Sequence, residues 1–183
     1  YNEAIERLRK YANEFKVDDP NKNGEHIGPV ISETQFNKIQ GLIQKGIDEG
    51  AKLVAGGVGK PNGLSDGYYV KPTVFADVTN EMTIAKEEIF GPVLCVMKYE
   101  TEDEAIEIAN DSEYGLAGYV QGELSHAIDV GNKIRAGQIT INGGARGNAA
   151  PFGGYKASGN GREHGKHGIE ECLETKAIIT PAT

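Results

Sequence analysis

Pro92-Val93-Leu94-Cys95-Val96-Met97 is a continuous apolar run, and Thr101-Glu102-Asp103-Glu104 follows it closely. A strand with one wet face alternates apolar and polar residues, so the unbroken run reads as a strand covered on both faces. The Thr-x-x-Glu segment is a capping box, in which side chains satisfy the first free amides of a helix, here running through Asn110. The same strand-then-helix order continues downstream. Leu116 to Val120 reads as a strand. Leu124, Ala127, Ile128, Gly131 and Ile134 line one helix face that stops at Gly137, and Gln138 to Asn142 is the next strand. Upstream, Ser32-Glu33-Thr34-Gln35 is another reciprocal capping box. It opens a helix whose buried face is Phe36, Ile39, Ile43 and Ile47 and which Gly50 ends. Ala51 to Ala55 is a short strand. Tyr68 to Phe75 is a further strand, which Pro72 demotes to a sheet edge. Alternation over residues 33–142 predicts an α/β fold, three-layer α/β/α with a mainly parallel sheet.

The flanks are less regular. Ile5, Leu8, Ala12 and Phe15 recur on one face of a helix over residues 1–15, and Pro20 and Gly24 break the polar stretch after it. Gly56 to Gly67 reads as a surface loop. Gly143 to Gly168 is dense in glycine with a short helix near its end, and Thr175 to Thr180 is strand-like. A length of 183 residues suits one domain. Apolar residues at 38% and charged residues at 25% fit a globular chain rather than a disordered one. The net charge is −8, and no cationic run forms an arm, which argues against nucleic acid as a partner. No apolar stretch approaches membrane-spanning length and no signal peptide precedes the first helix. A cytoplasmic, reduced protein is the expectation, with Cys95 and Cys172 as small buried apolar side chains. The chain opens at Tyr1 inside helical periodicity with no cap before it, as a portion of a longer polypeptide does.

Several glycine and histidine patterns fall short of a phosphate, nucleophile or metal site. Gly159-Asn160-Gly161-Arg162-Glu163-His164 lacks the third glycine of a dinucleotide fingerprint and does not follow a strand. Gly56-Gly57-Val58-Gly59-Lys60 runs into proline, not the Ser or Thr of a phosphate loop. Ser158 has no G-x-S-x-G frame. His164 and His167 are spaced for one helix face and a metal, but their glycine-rich surroundings favour an exposed helix start, and no metal is expected. Glu102, Asp103, Glu104 and Glu107 read as a solvated helix face with favourable charge at its start.

Two longer motifs carry more information. Lys86-Glu87-Glu88-Ile89-Phe90-Gly91-Pro92 resembles the E-E-[IV]-F-G-P signature of the aldehyde dehydrogenase superfamily. Pro151-Phe152-Gly153-Gly154-Tyr155-Lys156-Ala157-Ser158-Gly159-Asn160-Gly161-Arg162-Glu163 is similar to that family's P-F-G-G-x-K-x-S-G-x-G-R-E run. Ile27-Gly28-Pro29-Val30-Ile31, Tyr69-Val70-Lys71-Pro72-Thr73, Ala109 to Ala117 and Leu173-Glu174-Thr175-Lys176 fall in the family's order. The resemblance covers essentially the whole chain.

That resemblance implies an enzyme oxidising aldehydes to acids with NAD or NADP. It implies that the Glu88 carboxylate grips the nicotinamide ribose and that Phe90 packs near the nicotinamide. If the segment is extended, the two side chains share a face. From the residues alone, Glu88 reads first as a solvated carboxylate ahead of a strand. Phe152 matches a position lining the aldehyde tunnel, although it can equally be a core phenylalanine. Gly143 to Asn148, with Ala145 and Arg146, matches a variable substrate loop. Arg146 would favour an aldehyde with a distal anionic group, or is simply an exposed loop arginine. The family's nucleophilic cysteine sits in an N-S-G-Q-x-C context that neither Cys95 nor Cys172 matches. Its general base and Rossmann domain also lie upstream, so no catalytic residue is assigned in this chain. The expected organisation is a partial catalytic domain over residues 1–172 and an assembly strand over 173–183. The whole enzyme would be a homodimer or homotetramer, and the isolated chain inactive. The competing expectation is a stand-alone binding or assembly module that kept the fold and lost the chemistry.

Overall fold

The computed structural model describes residues 1–181, in two compact units, Tyr1–Glu100 and the remainder from Thr101. The first unit contains helices α1 (Asn2–Glu14), α2 (Glu33–Asp48) and α3 (Thr83–Lys86). Its strands are β1 (Lys52–Ala55), β2 (Thr73–Ala76) and β3 (Val93–Cys95). β2 lies in the middle, antiparallel to β1 and parallel to β3. Every residue of β2 is buried. Phe75 joins Ile39 and Ile43 of α2 in the core, while its neighbour Val74 lines a groove with Leu8, Ala12 and Phe15 of α1. Alternation along one strand thus feeds two helical layers, and the α/β/α order arises around β2.

The expected edge and centre are exchanged. Pro72 does not interrupt a strand, because β2 begins at Thr73, whose amide donates to the Pro92 carbonyl at 2.9 Å. The apolar run at Val93 to Cys95 is instead the outer strand, with Leu94 46% exposed. α3 has no counterpart in the sequence reading. It is one turn long with no cap of its own. Its start is held from α2: the Glu49 carboxylate accepts from Thr83 N and Oγ1, both at 2.7 Å. Those bonds pull the Glu49 pKa down.

The second unit contains α4 (Glu102–Asn110), β4 (Ala117–Val120), α5 (Leu124–Lys133), β5 (Gln138–Ile141) and α6 (Gly165–Glu170). β4 and β5 run parallel, in register from Ala117↔Gln138 to Val120↔Ile141, with α5 as their crossover. Thr101 Oγ1 caps α4 as expected, accepting from Glu104 N at 3.2 Å. α5 approaches the sheet closely at Gly131, where an added Cβ would lie 3.1 Å from Ile139 Cγ2.

Glu123 caps α5, accepting from Ser125 Oγ at 2.7 Å and from the amides of Ser125 and His126 at 3.2 and 3.0 Å. These bonds favour the charged form and hold its pKa down at about 2, against an ordinary 4.5. A depressed carboxylate stabilises the fold above its unfolded pKa, and that contribution is lost as pH falls through the folded value. The melting temperature of the Glu123→Ala variant should therefore lie below that of the parent at pH 6, with the gap closing towards pH 2. A gap independent of pH would contradict the assignment.

Two further expectations are corrected. Thr175 to Thr180 forms no strand among the described residues, and Ile178 and Ile179 are 84% and 92% exposed. A strand needs a ladder partner, and the described chain gives this segment none. Cys172 is exposed in the turn after α6, not buried, while Cys95 is half-buried. No described helix is long and apolar enough to cross a membrane.

Candidate functional site

In the first unit, the segment after α3 leaves the helix at Glu87, which is already extended. Ile89 is buried in the core with Ile39, Ile43 and Phe75, whereas Glu88 and Phe90 on either side of it are exposed. The segment is not regular strand. Phe90 has φ +57°, a left-handed conformation that a bulky aromatic rarely adopts. The outward placement of Glu88 and Phe90 therefore comes from the burial of Ile89 between them, not from a strand pleat. Phe90 is 70% exposed. Among the described residues, the Glu88 carboxylate has neither an ion-pair nor a hydrogen-bond partner, so both its oxygens are free to accept.

The support for this segment comes from α2. Gln35 Nε2 donates to the carbonyls of Ile89 and Phe90, each at 3.2 Å. Lys38 Nζ donates to the Glu88 carbonyl at 2.9 Å. Gly91 sits directly on the helix, where an added Cβ would be 2.7 Å from Ile39 Cδ1. The reciprocal box expected at Ser32 is thus only half formed. Ser32 Oγ accepts from Gln35 N at 3.2 Å, but the Gln35 side chain turns to the loop. Neither Gln35, in this role, nor Lys38 was singled out from the sequence. The available signal was that 35, 38 and 39 fall on one helix face whose last member is buried.

In the second unit, Asn142 and Gly143, both at positive φ, turn the chain out of β5 into the exposed loop carrying Ala145 and Arg146. The structure brings Arg146 and Phe152 together: the guanidinium lies over the ring, 4.9 Å from its centroid. His164 meets the same ring edge-on at 6.4 Å. The Phe152 backbone is tied to Glu163 in both directions, at 2.8 and 2.6 Å. Phe152 is half-buried and also borders a cavity of about 340 Å³ with Leu116, Ser158, Arg162, Glu163 and Glu171.

Lys156, Ser158 and Arg162 of the 151–163 run serve the scaffold. Lys156 Nζ donates to the carbonyls of Asn110 and Ser112 at 2.8 and 2.9 Å. Ser158 Oγ accepts from Gly115 N at 3.0 Å. Arg162 donates to Gly154 O and Gly161 O and lies over the Tyr155 ring, 5.4 Å from its centroid. His167 faces Glu170 at 3.4 Å, and among the described residues no three His, Cys, Asp or Glu side chains gather as a metal site would need. Cys95 donates its thiol to Ile84 O at 3.4 Å, and burial pushes its pKa up to about 11. At neutral pH it is an inert thiol, not a thiolate nucleophile.

These features define an α/β chain that exposes a free carboxylate and an aromatic ring on a rigidly held loop. A sequence model of the aldehyde dehydrogenase family matches residues 1–178, and the chain belongs to that family. It is 51% identical over 179 residues to 3-succinoylsemialdehyde-pyridine dehydrogenase of a Pseudomonas species, covering 97% of this chain and 38% of that protein. Among solved structures, a mutant of aldehyde dehydrogenase C from Pseudomonas syringae, in complex with NAD+ and octanal, superposes with a TM-score of 0.96 at 50% identity. That match covers 100% of this chain and 38% of the other. The Mycobacterium tuberculosis aldehyde dehydrogenase complexed with NAD+ gives 0.94 at 48% identity, over 99% of this chain and 38% of that one. The chain thus spans 38% of the length of these relatives.

Proposed function

We propose that this chain is the C-terminal part of the catalytic domain of an enzyme that oxidises aldehydes to carboxylic acids with NAD or NADP. The single observation that carries the reading is the unpartnered Glu88 carboxylate beside the exposed Phe90 ring. A carboxylate with free lone pairs accepts both hydroxyls of a ribose diol, and an adjacent aromatic face excludes water from a flat heterocycle. The donor and acceptor set therefore fits a nicotinamide nucleoside. When bound, the nicotinamide supplies a hydride acceptor. Glu88 orients it through the sugar and Phe90 shields one side.

In this reading neither cysteine of residues 1–183 is the nucleophile, which suits Cys95 held as a thiol and Cys172 in an exposed turn, and the nucleophilic thiolate, the general base and the Rossmann domain are proposed to come from other parts of the enzyme. The pure chain should show no turnover of acetaldehyde and no calorimetric binding of NAD. Turnover would contradict the division of labour proposed here. Residues 173–183 are proposed to pair with a further copy in a homodimer or homotetramer, which suits a segment whose residues 175–180 have no ladder among the described residues.

Phe152, Ala145 and Arg146 are proposed to line the path of the aldehyde. The Arg146 guanidinium lies over the Phe152 ring, 4.9 Å from its centroid, and its planar fork of N–H donors suits a carboxylate in bidentate fashion. In the complete enzyme, Arg146→Ala should lower kcat/KM for aldehydes bearing a distal carboxylate about tenfold more than for neutral ones. Equal losses for both would remove Arg146 from substrate recognition.

A further inference from the structure

We infer that Asn62–Gly63 is a modification site: in the folded protein it converts unaided to isoaspartate and aspartate, whereas Asn142–Gly143 is protected by the fold. Asparagine followed by glycine is open to this chemistry because no Cβ on the second residue shields its amide nitrogen. The sequence holds four such pairs, with asparagine at 23, 62, 142 and 160. Two of them form a matched comparison. Gly63 and Gly143 have φ +79° and +71°, and nothing lies within 4 Å of an added Cβ at either. Asn62 and Asn142 are both exposed. Gly24 and Gly161 are less open, with His26 and the Glu171 carboxylate within 4 Å of their added Cβ.

The reaction needs only water. The Gly63 amide nitrogen attacks Asn62 Cγ, and the new N–Cγ bond closes a succinimide ring. The Cγ–Nδ2 bond breaks, the amide proton passes to the departing nitrogen, and ammonia leaves. Water then opens the ring at either carbonyl, giving aspartate or isoaspartate. Nothing is oxidised or reduced. What separates the two sites is the freedom of the asparagine side chain. Leu64 N donates to Pro61 O at 3.3 Å, so Asn62 and Gly63 hold the central places of an exposed turn. The Asn62 side chain has no hydrogen-bond partner among the described residues. Asn142 is gripped at both ends: Oδ1 accepts from Gly122 N and Nδ2 donates to Gly122 O, each at 2.9 Å. Its own amide donates to Val120 O at 2.9 Å, which extends the β4–β5 pairing. Cγ reaches the Gly143 nitrogen only after both side-chain bonds break, which slows ring closure about tenfold or more. The grip matters at this place, because isoaspartate would add a main-chain atom where the chain leaves β5 for Ala145 and Arg146.

The test incubates the complete enzyme in mildly alkaline buffer and maps isoaspartate by peptide fragmentation, with the same protein unfolded in guanidinium as reference. Isoaspartate arises only through the ring, so it reports the route as well as the site. In the folded enzyme it should accumulate at residue 62 at least about tenfold faster than at residue 142. In guanidinium the two rates should converge, since both pairs are then plain Asn-Gly. Asn62→Gln, whose longer side chain closes a ring poorly, should abolish the signal at 62 and leave that at 142 unchanged. An Asn62 that stays intact in the folded enzyme while the unfolded chain converts would overturn the site. Equal rates at 62 and 142 in the folded enzyme, or a difference that persists in guanidinium, would overturn the protection by Gly122.

Discussion

Replacing Gly137 with alanine is expected to lower the melting temperature of the second unit by roughly 10 °C or more, a loss of about 3 kcal/mol. An added Cβ would lie 1.8 Å from the Gly153 carbonyl oxygen and 2.8 Å from its carbon. Both are backbone atoms, so no rotamer change relieves the overlap. Gly137 cannot retreat either, because its amide donates to Gly115 O at 2.9 Å, and Tyr155 N donates to the same oxygen at 2.8 Å. Three chain segments therefore cross at one point, and the segment that must give way also carries Phe152. Gly147→Ala is the matched control, since nothing lies within 4 Å of its added Cβ. It should stay within about 0.5 kcal/mol of the parent. Equal melting temperatures for the two variants would show that the crossing is not rigid.

The second large effect falls on the cofactor. In the complete enzyme, Glu88→Ala should raise KM for NAD roughly a hundredfold and Glu88→Gln about tenfold, because a hydrogen bond to a charged group contributes about 1.5–3 kcal/mol. Gln keeps one acceptor oxygen but loses the charge and the second acceptor. The melting temperature should not change, since the exposed side chain has no partner among the described residues. Glu87→Gln separates this from a general effect of acidity. Glu87 is also exposed but lies on the helix side of Glu88, away from Phe90, and its replacement should leave KM for NAD unaltered. Equal shifts in Glu87→Gln and Glu88→Gln would mean that the loop acts through bulk charge and not through a specific grip.

The elements that could be read from the sequence are those whose signals are local. Ser32 and Gly50 bound α2, Thr101 opens α4, and the buried face of α2 repeats at helical spacing. What could not be read depends on distant neighbours. Nothing within Pro92 to Met97 says that the strand lies at an edge, and nothing within Tyr68 to Phe75 says that its last residues are the centre. α3 is invisible locally because its start is capped from Glu49. The same division holds at the candidate site. Glu88, Phe90, Phe152 and Arg146 were reached through motifs and their neighbourhood in the chain. Gln35 and Lys38 were not, because their partners are carbonyls 54, 55 and 50 positions away, and a carbonyl leaves no mark in the residue letters. The left-handed Phe90 was missed for a related reason: only glycine, and less often asparagine, announces positive φ by its identity.

The most direct test is a crystal structure of the complete enzyme with NAD bound. The account predicts both oxygens of Glu88 within about 2.5–2.9 Å of the two hydroxyls of the nicotinamide ribose, with Phe90 still at positive φ beside the ring. A Glu88 side chain turned to solvent, with the ribose held by other residues, would contradict it.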